Sequence, residues 1–222
     1  MDASETKTRL QELLTAAGQM PLDDDTAGRF ADYLSLFVRW NERLNLSSVR
    51  DEEGIISRHI IESISVSSTL PPGIKTLLDF GSGAGLPGIP IALCHPEIAV
   101  TLAESQGKKA AFLQEAVRAL KVRAKVHAGR AETLPDTFDC VILRAVDKMP
   151  KAVAVAAPLV APAGWLALMT TTNELEGLKR AAGTEFSWPI EKPLAGGTHR
   201  IVALGSRSNS QPGSTESESK PR

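Results

Sequence analysis

Thr76-Leu-Leu-Asp-Phe-Gly-Ser-Gly-Ala-Gly-Leu-Pro-Gly-Ile-Pro90 decides the fold. An apolar run, Leu77, Leu78 and Phe80, carries one carboxylate, Asp79, and breaks into Gly81, Gly83, Gly85 and Gly88. Pro87 or Pro90 then suits the first turn of a helix, where a missing N–H costs little. Strand, glycine turn and helix in that order make the first crossover of a doubly wound sheet, with a nucleotide-like ligand over the turn. Gly83 to Gly88 also satisfies G-x-G-x-x-G, a dinucleotide fingerprint that is weak on its own.

Two carboxylates argue against a dinucleotide. A pyrophosphate at a helix N-terminus wants backbone N–H groups and no anion beside it, yet Asp79 stands two residues before the turn. A cationic ligand is favoured there. Val100-Thr-Leu-Ala-Glu104 reads as the second strand, and Glu104 lies 23 residues beyond Gly81. A carboxylate about 20 residues past the glycines accepts the hydroxyls of a ribose. S-adenosylmethionine meets both conditions: it has adenosine, no phosphate, a sulfonium and an ammonium. The competing reading is a turn that serves packing alone, with Asp79 and Glu104 as surface charges.

The chain has 222 residues, enough for one α/β domain with a short extension. With 42% hydrophobic and 23% charged residues it is expected to be soluble and globular. No apolar stretch approaches membrane-spanning length, and residues 1–14 lack the apolar core of a signal peptide, so a cytoplasmic protein is expected. Cys94 and Cys140 sit in apolar runs and read as buried thiols, not a disulfide. No His/Cys cluster has metal-ligand spacing, so no metal is expected. Net charge is −1, which gives no bulk argument for nucleic acid. Residues 1–32 hold seven acidic and three basic groups, so any RNA contact must be a local patch on the remainder.

Taken in order, Leu10, Leu13 and Leu14 mark a first helix that stops near Gly18. Asp23, Asp24, Asp25 and Thr26 load the start of a long helix with caps and negative charge. A polar turn, Asn45 to Asp51, precedes a third helix striped by Ile56, Ile60, Ile61 and Ile64. Residues 1–73 thus read as a helical cap and 74–204 as the sheet domain. Gly107–Lys121 and Met149–Ala161 read as helices. Phe138–Leu143 and Trp165–Met169 read as strands buried on both faces. Residues 184–190 and 199–204 are expected to close the sheet as an antiparallel pair, joined through Gly196-Gly197. Residues 205–222 have no large apolar side chain and read as a disordered tail.

Several separated motifs then coincide. Arg39-Trp-Asn41 with Asn45-Leu-Ser-Ser-Val-Arg-Asp51, Arg58-His-Ile-Ile-Glu-Ser63, Gly81–Pro90, Gly107-Lys-Lys109 and Arg144-Ala145 together resemble the ribosomal RNA small subunit methyltransferase G family, also called glucose-inhibited division protein B. The resemblance runs from about residue 6 to 204. It implies a class I S-adenosylmethionine-dependent methyltransferase fold: α/β, Rossmann-like, a seven-stranded mostly parallel sheet with its last strand antiparallel. It also implies methylation of N7 of a guanine in bacterial 16S rRNA, with that rRNA or the small ribosomal subunit as partner. By motif, Gly81 and Leu86 would line the cofactor, with Gly83 and Gly85 in the same loop. Ala131 and Glu132 would flank adenine, and Arg144 would sit at the mouth of the site. Many relatives read Leu-Asp-Ser where this chain has Ala103-Glu104-Ser105, so the ribose carboxylate here stands on a longer arm.

Guanine N7 offers a lone pair and has no proton to lose, so no general base is required. No amino-directed Asp/Asn-Pro-Pro-aromatic segment follows the fourth strand, which reads Leu143-Arg-Ala-Val146. Cys140, the residue to suspect in a pyrimidine C5 mechanism, sits mid-strand and reads as core. Catalysis is therefore expected through positioning, by Arg144, Asn41 and Asn45, with a salt bridge to Asp147 or Glu132 as the rival role for Arg144. His59 reads as a packed histidine. The phosphate-binding patch is expected among Arg39, Arg43, Arg50, Arg58, Lys108, Lys109, Arg123, Lys148 and Arg200. A monomer is expected. Rival functions are a same-fold methyltransferase acting on a small molecule or protein, a nicotinamide-linked oxidoreductase, and a non-catalytic RNA-binding assembly factor.

Overall fold

The computed structural model describes residues 2–195 and 199–209. Gly196-Gly197 and the tail from 210 onward lie outside them. The cap is built from α1 (Ala3–Ala16), α2 (Asp24–Leu44), α3 (Glu52–Ile55), a π-helical turn (Ile56–Ile60) and α4 (Ile61–Ser67). Asp2 forms a capping box with Glu5 at the start of α1, and Asp23 caps α2 by accepting from the Thr26 N–H. Asn45 ends α2 in the left-handed region at φ 50°. The third helix expected from the isoleucine stripe is thus interrupted by one wide turn.

The remainder alternates strand and helix: β1 (Thr76–Phe80), α5 (Gly88–Cys94), β2 (Ala99–Ala103), α6 (Gly107–Leu120), β3 (Ala124–His127), β4 (Phe138–Arg144), α7 (Met149–Ala156), β5 (Val160–Thr171), α8 (Thr172–Ala182), β6 (Phe186–Pro193) and β7 (Arg200–Arg207). They form one seven-stranded sheet in the order β3-β2-β1-β4-β5-β7-β6. Strands β1 to β5 run parallel, and β7 is antiparallel to both neighbours. The reversal of strand order at β1 and β4 opens a crevice at their carboxyl ends.

Alternate residues of each strand face opposite ways. Leu77, Val100, Leu102, Cys140, Ile142 and Met169 join α5, α6 and the cap residues Phe30, Tyr33 and Phe37 in one core. Leu78, Phe80, Val141, Leu143 and Leu168 join α7 and α8 in the other. The cap therefore shares its core with one face of the sheet. Tyr33 on α2 donates its hydroxyl to the Ala84 carbonyl at 2.6 Å, and Arg29 donates to the Leu120 carbonyl at 2.7 Å.

The boundary expected at 204 moves outward. Gly205 pairs with Leu166, and Ser206 with both Trp165 and Ser187, so β7 runs to Arg207. A Cβ at Gly205 would stand 3.0 Å from the Trp188 ring, so glycine lets that ring lie close over the strand. The polar composition concealed a strand whose one glycine makes room for a tryptophan.

Candidate functional site

Two adjoining cavities open at the carboxyl ends of the strands. The first, about 500 Å³, has Phe80, Ala103, Ala131, Ala152 and Val155 as apolar wall, with Arg130, Glu132, Lys148 and Lys151 at its rim. The second, about 460 Å³, is walled by Leu46, Ser47, His59, Ser82, Gly83, Leu86, Glu104, Lys109 and Arg144. Gly81, Ser105, Val146 and Asp147 belong to both, so the two are one crevice with a waist. The waist is shaped by left-handed backbone. Gly81 has φ +72°, and Ala145 and Lys148, with φ 49° and 51°, bracket Val146-Asp147. Such a conformation costs a non-glycine residue roughly 1–2 kcal/mol and clusters at functional sites.

Glu104 stands at the end of β2 with 6% exposure. Its Oε2 accepts from the Gly83 N–H at 3.0 Å and its Oε1 from the Gln106 N–H at 2.7 Å. Each oxygen keeps a free lone pair, and the side chain borders the second cavity. Two hydroxyl donors, as on the ribose of an adenosine, would fit that carboxylate. The residues thus fit an adenosine-bearing cofactor, and Ala131 lies in the wall and Glu132 at the rim of the first cavity. The long arm of Glu104 is absorbed by bonding to the glycine loop.

Asp79 and Gly85 are placed differently from the sequence expectation. Asp79 is 1% exposed and lines neither cavity. Its Oδ2 accepts from Ser82 Oγ at 2.6 Å and from the Gly88 N–H at 3.0 Å, so the carboxylate braces the loop from behind. Gly85 is buried, and a Cβ there would stand 2.4 Å from Ile89 Cδ1, so it serves packing of the turn on α5. Gly81, Gly83 and Leu86 do border the crevice.

Burial pushes the Asp79 carboxyl up to about 6 from 3.8. The folded state then holds the proton more tightly than the unfolded chain. This contribution to stability is complete below the unfolded value and is lost as pH rises through about 6. Asp79→Asn removes it, so the stability difference between wild type and variant, from urea midpoints, is expected to shrink by about 1 kcal/mol between pH 5 and pH 7. A difference independent of pH would contradict this.

Arg144 ends β4 inside the crevice, with a side chain 9% exposed. Neither Asp147 nor Glu132 is its partner. Its Nη2 lies 3.0 Å from Glu62 Oε2, 2.8 Å from His59 Nδ1 and 3.1 Å from the Arg58 carbonyl, all on the cap. Arg200, at the start of β7, brings its Nε to 2.9 Å from Glu62 Oε1. Burial and Arg144 push His59 down to about 4, so it is neutral at pH 7. Its Nε2 faces Ser47 Oγ at 2.7 Å. Arg144 has only donors, so Nδ1 accepts from it and Nε2–H donates to Ser47. His59 and Glu62 therefore belong to the site, which sequence reasoning missed. The packing interpretation of a lone histidine gave no hint of a partner on β4.

Asn41 and Asn45 act on the loop, not on the crevice. Asn41 is 3% exposed; its Oδ1 accepts from the Ser47 N–H at 2.8 Å and its Nδ2 donates to the Val49 carbonyl at 3.1 Å. It holds Leu46 and Ser47 in the wall of the second cavity. Asn45 is exposed and accepts from Arg50, which also donates to the Asn41 carbonyl at 2.9 Å. Arg50 is thus a loop clamp.

The other basic residues divide. Lys109 and Lys148 border the crevice, and Lys108 and Arg58 are exposed. Arg39 pairs with Glu115 at 2.9 Å and, with Arg43, edges a separate groove beside Trp40. Arg123 precedes β3 and donates to the Glu97 carbonyl at 2.8 Å, on the opposite edge of the sheet from the crevice. One surface therefore does not gather all nine. Cys140 is fully buried, and its thiol is pushed up to about 12 by burial, which removes it as a nucleophile. Among the described residues no group of His, Cys, Asp and Glu is arranged to hold a metal ion, and no helix is long and apolar enough to cross a membrane.

Solved structures share this architecture. The chain matches the PH0226 protein from Pyrococcus horikoshii OT3 with TM-score 0.60 at 14% identity, over 77% of this chain and 99% of that one. It matches P. horikoshii TYW2 in complex with MeSAdo with TM-score 0.55 at 16% identity, over 67% and 62%. At such identities the likeness is one of fold. Sequence relatives are nearer. Ribosomal RNA small subunit methyltransferase G of Xanthomonas campestris pv. campestris (strain B100) is 42% identical over 82% of this chain and 88% of its own length. The protein of that name in Stenotrophomonas maltophilia (strain K279a) is 37% identical over 84% and 90%. The family model described as rRNA small subunit methyltransferase G matches residues 27–190, from within α2 into β6, and so spans every residue that lines the crevice. On that match, and on relatives aligned along four-fifths of its length, the chain belongs to the ribosomal RNA small subunit methyltransferase G family.

Proposed function

We propose that this protein transfers a methyl group from S-adenosylmethionine to N7 of a guanine in bacterial 16S ribosomal RNA, by in-line attack without a general base. The enzyme is an S-adenosylmethionine-dependent methyltransferase of the rRNA-modifying family to which the chain belongs. One observation carries the finer reading: a two-chambered crevice whose one histidine is neutral and engaged at both nitrogens, with the Glu104 carboxylate tied to the Gly83 and Gln106 N–H groups. When bound, the cofactor supplies an electrophilic methyl group on a sulfonium. Ala131 and Glu132 would hold the adenine, Glu104 the ribose, and the Gly81–Gly83 backbone the remainder.

The nucleophile needs no deprotonation, so the chain's task is alignment and exclusion of water. Effective molarities gained this way account for barriers of several kcal/mol. An arginine normally reads guanine by a bidentate contact to O6 and N7. That pattern would mask the reacting lone pair. Arg144 is suited to a single contact to O6, because its Nη2 is already held by the cap, and N7 then stays free. Lys109 and Lys148 at the rim would meet the flanking phosphates.

Calorimetry separates S-adenosylmethionine from NAD, and methyl transfer from labelled donor to 30S subunits, naked rRNA and bulk protein separates the acceptors. Label in RNA supports the reading; label confined to protein, or binding of NAD alone, contradicts it. Lys108→Glu combined with Lys109→Glu is expected to weaken RNA binding and flatten the slope of log affinity against log salt by about 1.5. An unaltered slope would remove both from the RNA contact.

A further inference from the structure

Beneath the second cavity lies a charge cluster that the methyl transfer just described leaves unexplained. Glu62, on α4, is 3% exposed and has a different arginine at each oxygen. Oε2 accepts from Arg144 at 3.0 Å, and Oε1 lies 2.9 Å from Arg200 Nε. The Arg200 contact is out of line for a hydrogen bond, so the attraction there is coulombic. The two arginines come from the end of β4 and the start of β7. One carboxylate of the cap thus ties two strands of the sheet.

Stability does not account for this arrangement. Buried ion pairs are often no better than apolar packing of the same volume, and this one is imperfect. Three acceptors, Glu62, His59 and the Arg58 carbonyl, converge on Arg144 Nη2, which has two hydrogens, while Arg144 Nε is buried without a partner. A guanidinium oriented only for its own satisfaction would not concentrate its acceptors on one nitrogen. Burial pushes the Glu62 carboxyl up, yet two adjacent guanidiniums that cannot lose their protons favour its ionised form.

We propose that Glu62 is a positioning residue for methyl transfer: its carboxylate fixes Arg144 and Arg200 side by side, so that the cap aims the guanidinium that meets the target nucleotide. The proposal rests on the reading of Arg144 as a contact to the guanine. The π-helical turn contributes by bringing the Arg58 carbonyl and His59 Nδ1 to the same nitrogen. Glu62 itself touches neither base nor cofactor.

The test uses the full chain with S-adenosylmethionine and unmethylated 30S subunits, measuring kcat, KM for RNA, cofactor affinity by calorimetry and melting temperature. Four variants are compared: Glu62→Gln, Glu62→Asp, Arg200→Gln, and Glu62→Gln combined with Arg200→Gln. Glu62→Gln is expected to lower kcat by about 100-fold while cofactor affinity stays within about twofold, and Glu62→Asp to restore part of kcat. Glu62→Gln leaves two guanidiniums facing each other and is expected to lower the melting temperature; the double variant removes one of them and is expected to melt near wild type. Its kcat should still lie about 100-fold below that of Arg200→Gln alone. Equal kcat for the double variant and Arg200→Gln overturns the proposal, since Glu62 would then only neutralise charge. A double variant that fails to fold also overturns it, assigning the cluster to stability. Wild type that binds the cofactor yet methylates no RNA overturns the function reading and this inference with it; active wild type with an equally active Glu62→Gln overturns this inference alone.

Discussion

Arg144→Lys is expected to lower kcat for RNA methylation by about 100-fold with cofactor affinity changed by less than about threefold. Lysine keeps the charge but offers one compact ammonium in place of a planar fork. The fork serves two directions at once. Nη2 is bonded to the cap, and the residue also borders the second cavity. A lysine amine can follow Glu62 or reach toward the cavity, not both. Single-turnover methyl transfer with calorimetry on the same preparation checks the split. Unchanged transfer and unchanged cofactor affinity would remove Arg144 from the site.

Gly88→Ala is expected to cost about 3 kcal/mol of stability, which for a chain of this length lowers the melting temperature by roughly 10 °C. A Cβ at Gly88 would stand 2.4 Å from Leu102 Cδ2 and 2.6 Å from Asp79 Oδ2. That oxygen is the one that accepts from both Ser82 and Gly88. Moving it leaves a buried carboxylate without its donors and frees the loop that carries Gly81 and Gly83. Cofactor affinity should therefore fall together with stability. A thermal melt shifted by less than 2 °C, with intact binding, would show that the turn tolerates the methyl group.

The sequence was most legible where the determinants are local. The strand–glycine–helix crossover, the Asp23 cap and the antiparallel closing pair all follow from residues within a few positions of one another, and each is present. Glu104 was found at its strand end because the spacing from the glycines is set by one crossover. The Asp79 charge was read as facing a ligand; the nearby Ser82 hydroxyl and Gly88 N–H, three and nine residues on, take it instead. A glycine pattern also cannot tell a glycine that borders the crevice, such as Gly83, from one packed on an isoleucine, such as Gly85.

What was illegible is what the fold assembles from afar. Arg144 meets Glu62 and His59 across 82 and 85 residues, and no periodicity or spacing in either segment announces the other. The π-helical turn that presents His59 has an ordinary isoleucine stripe, so the sequence showed a plain helix there. Arg123 failed for a related reason. Its charge was visible in the sequence, but the edge of the sheet on which it stands depends on the strand that follows it.

The most direct test is the identity of the methylated nucleoside. Unmethylated 30S subunits are incubated with the enzyme and S-adenosylmethionine carrying a labelled methyl group, and the 16S rRNA is digested to nucleosides. The label is expected in 7-methylguanosine. Label in a methylated cytidine, uridine or adenosine, or in a guanosine modified elsewhere, would contradict a crevice that works by alignment on a free lone pair.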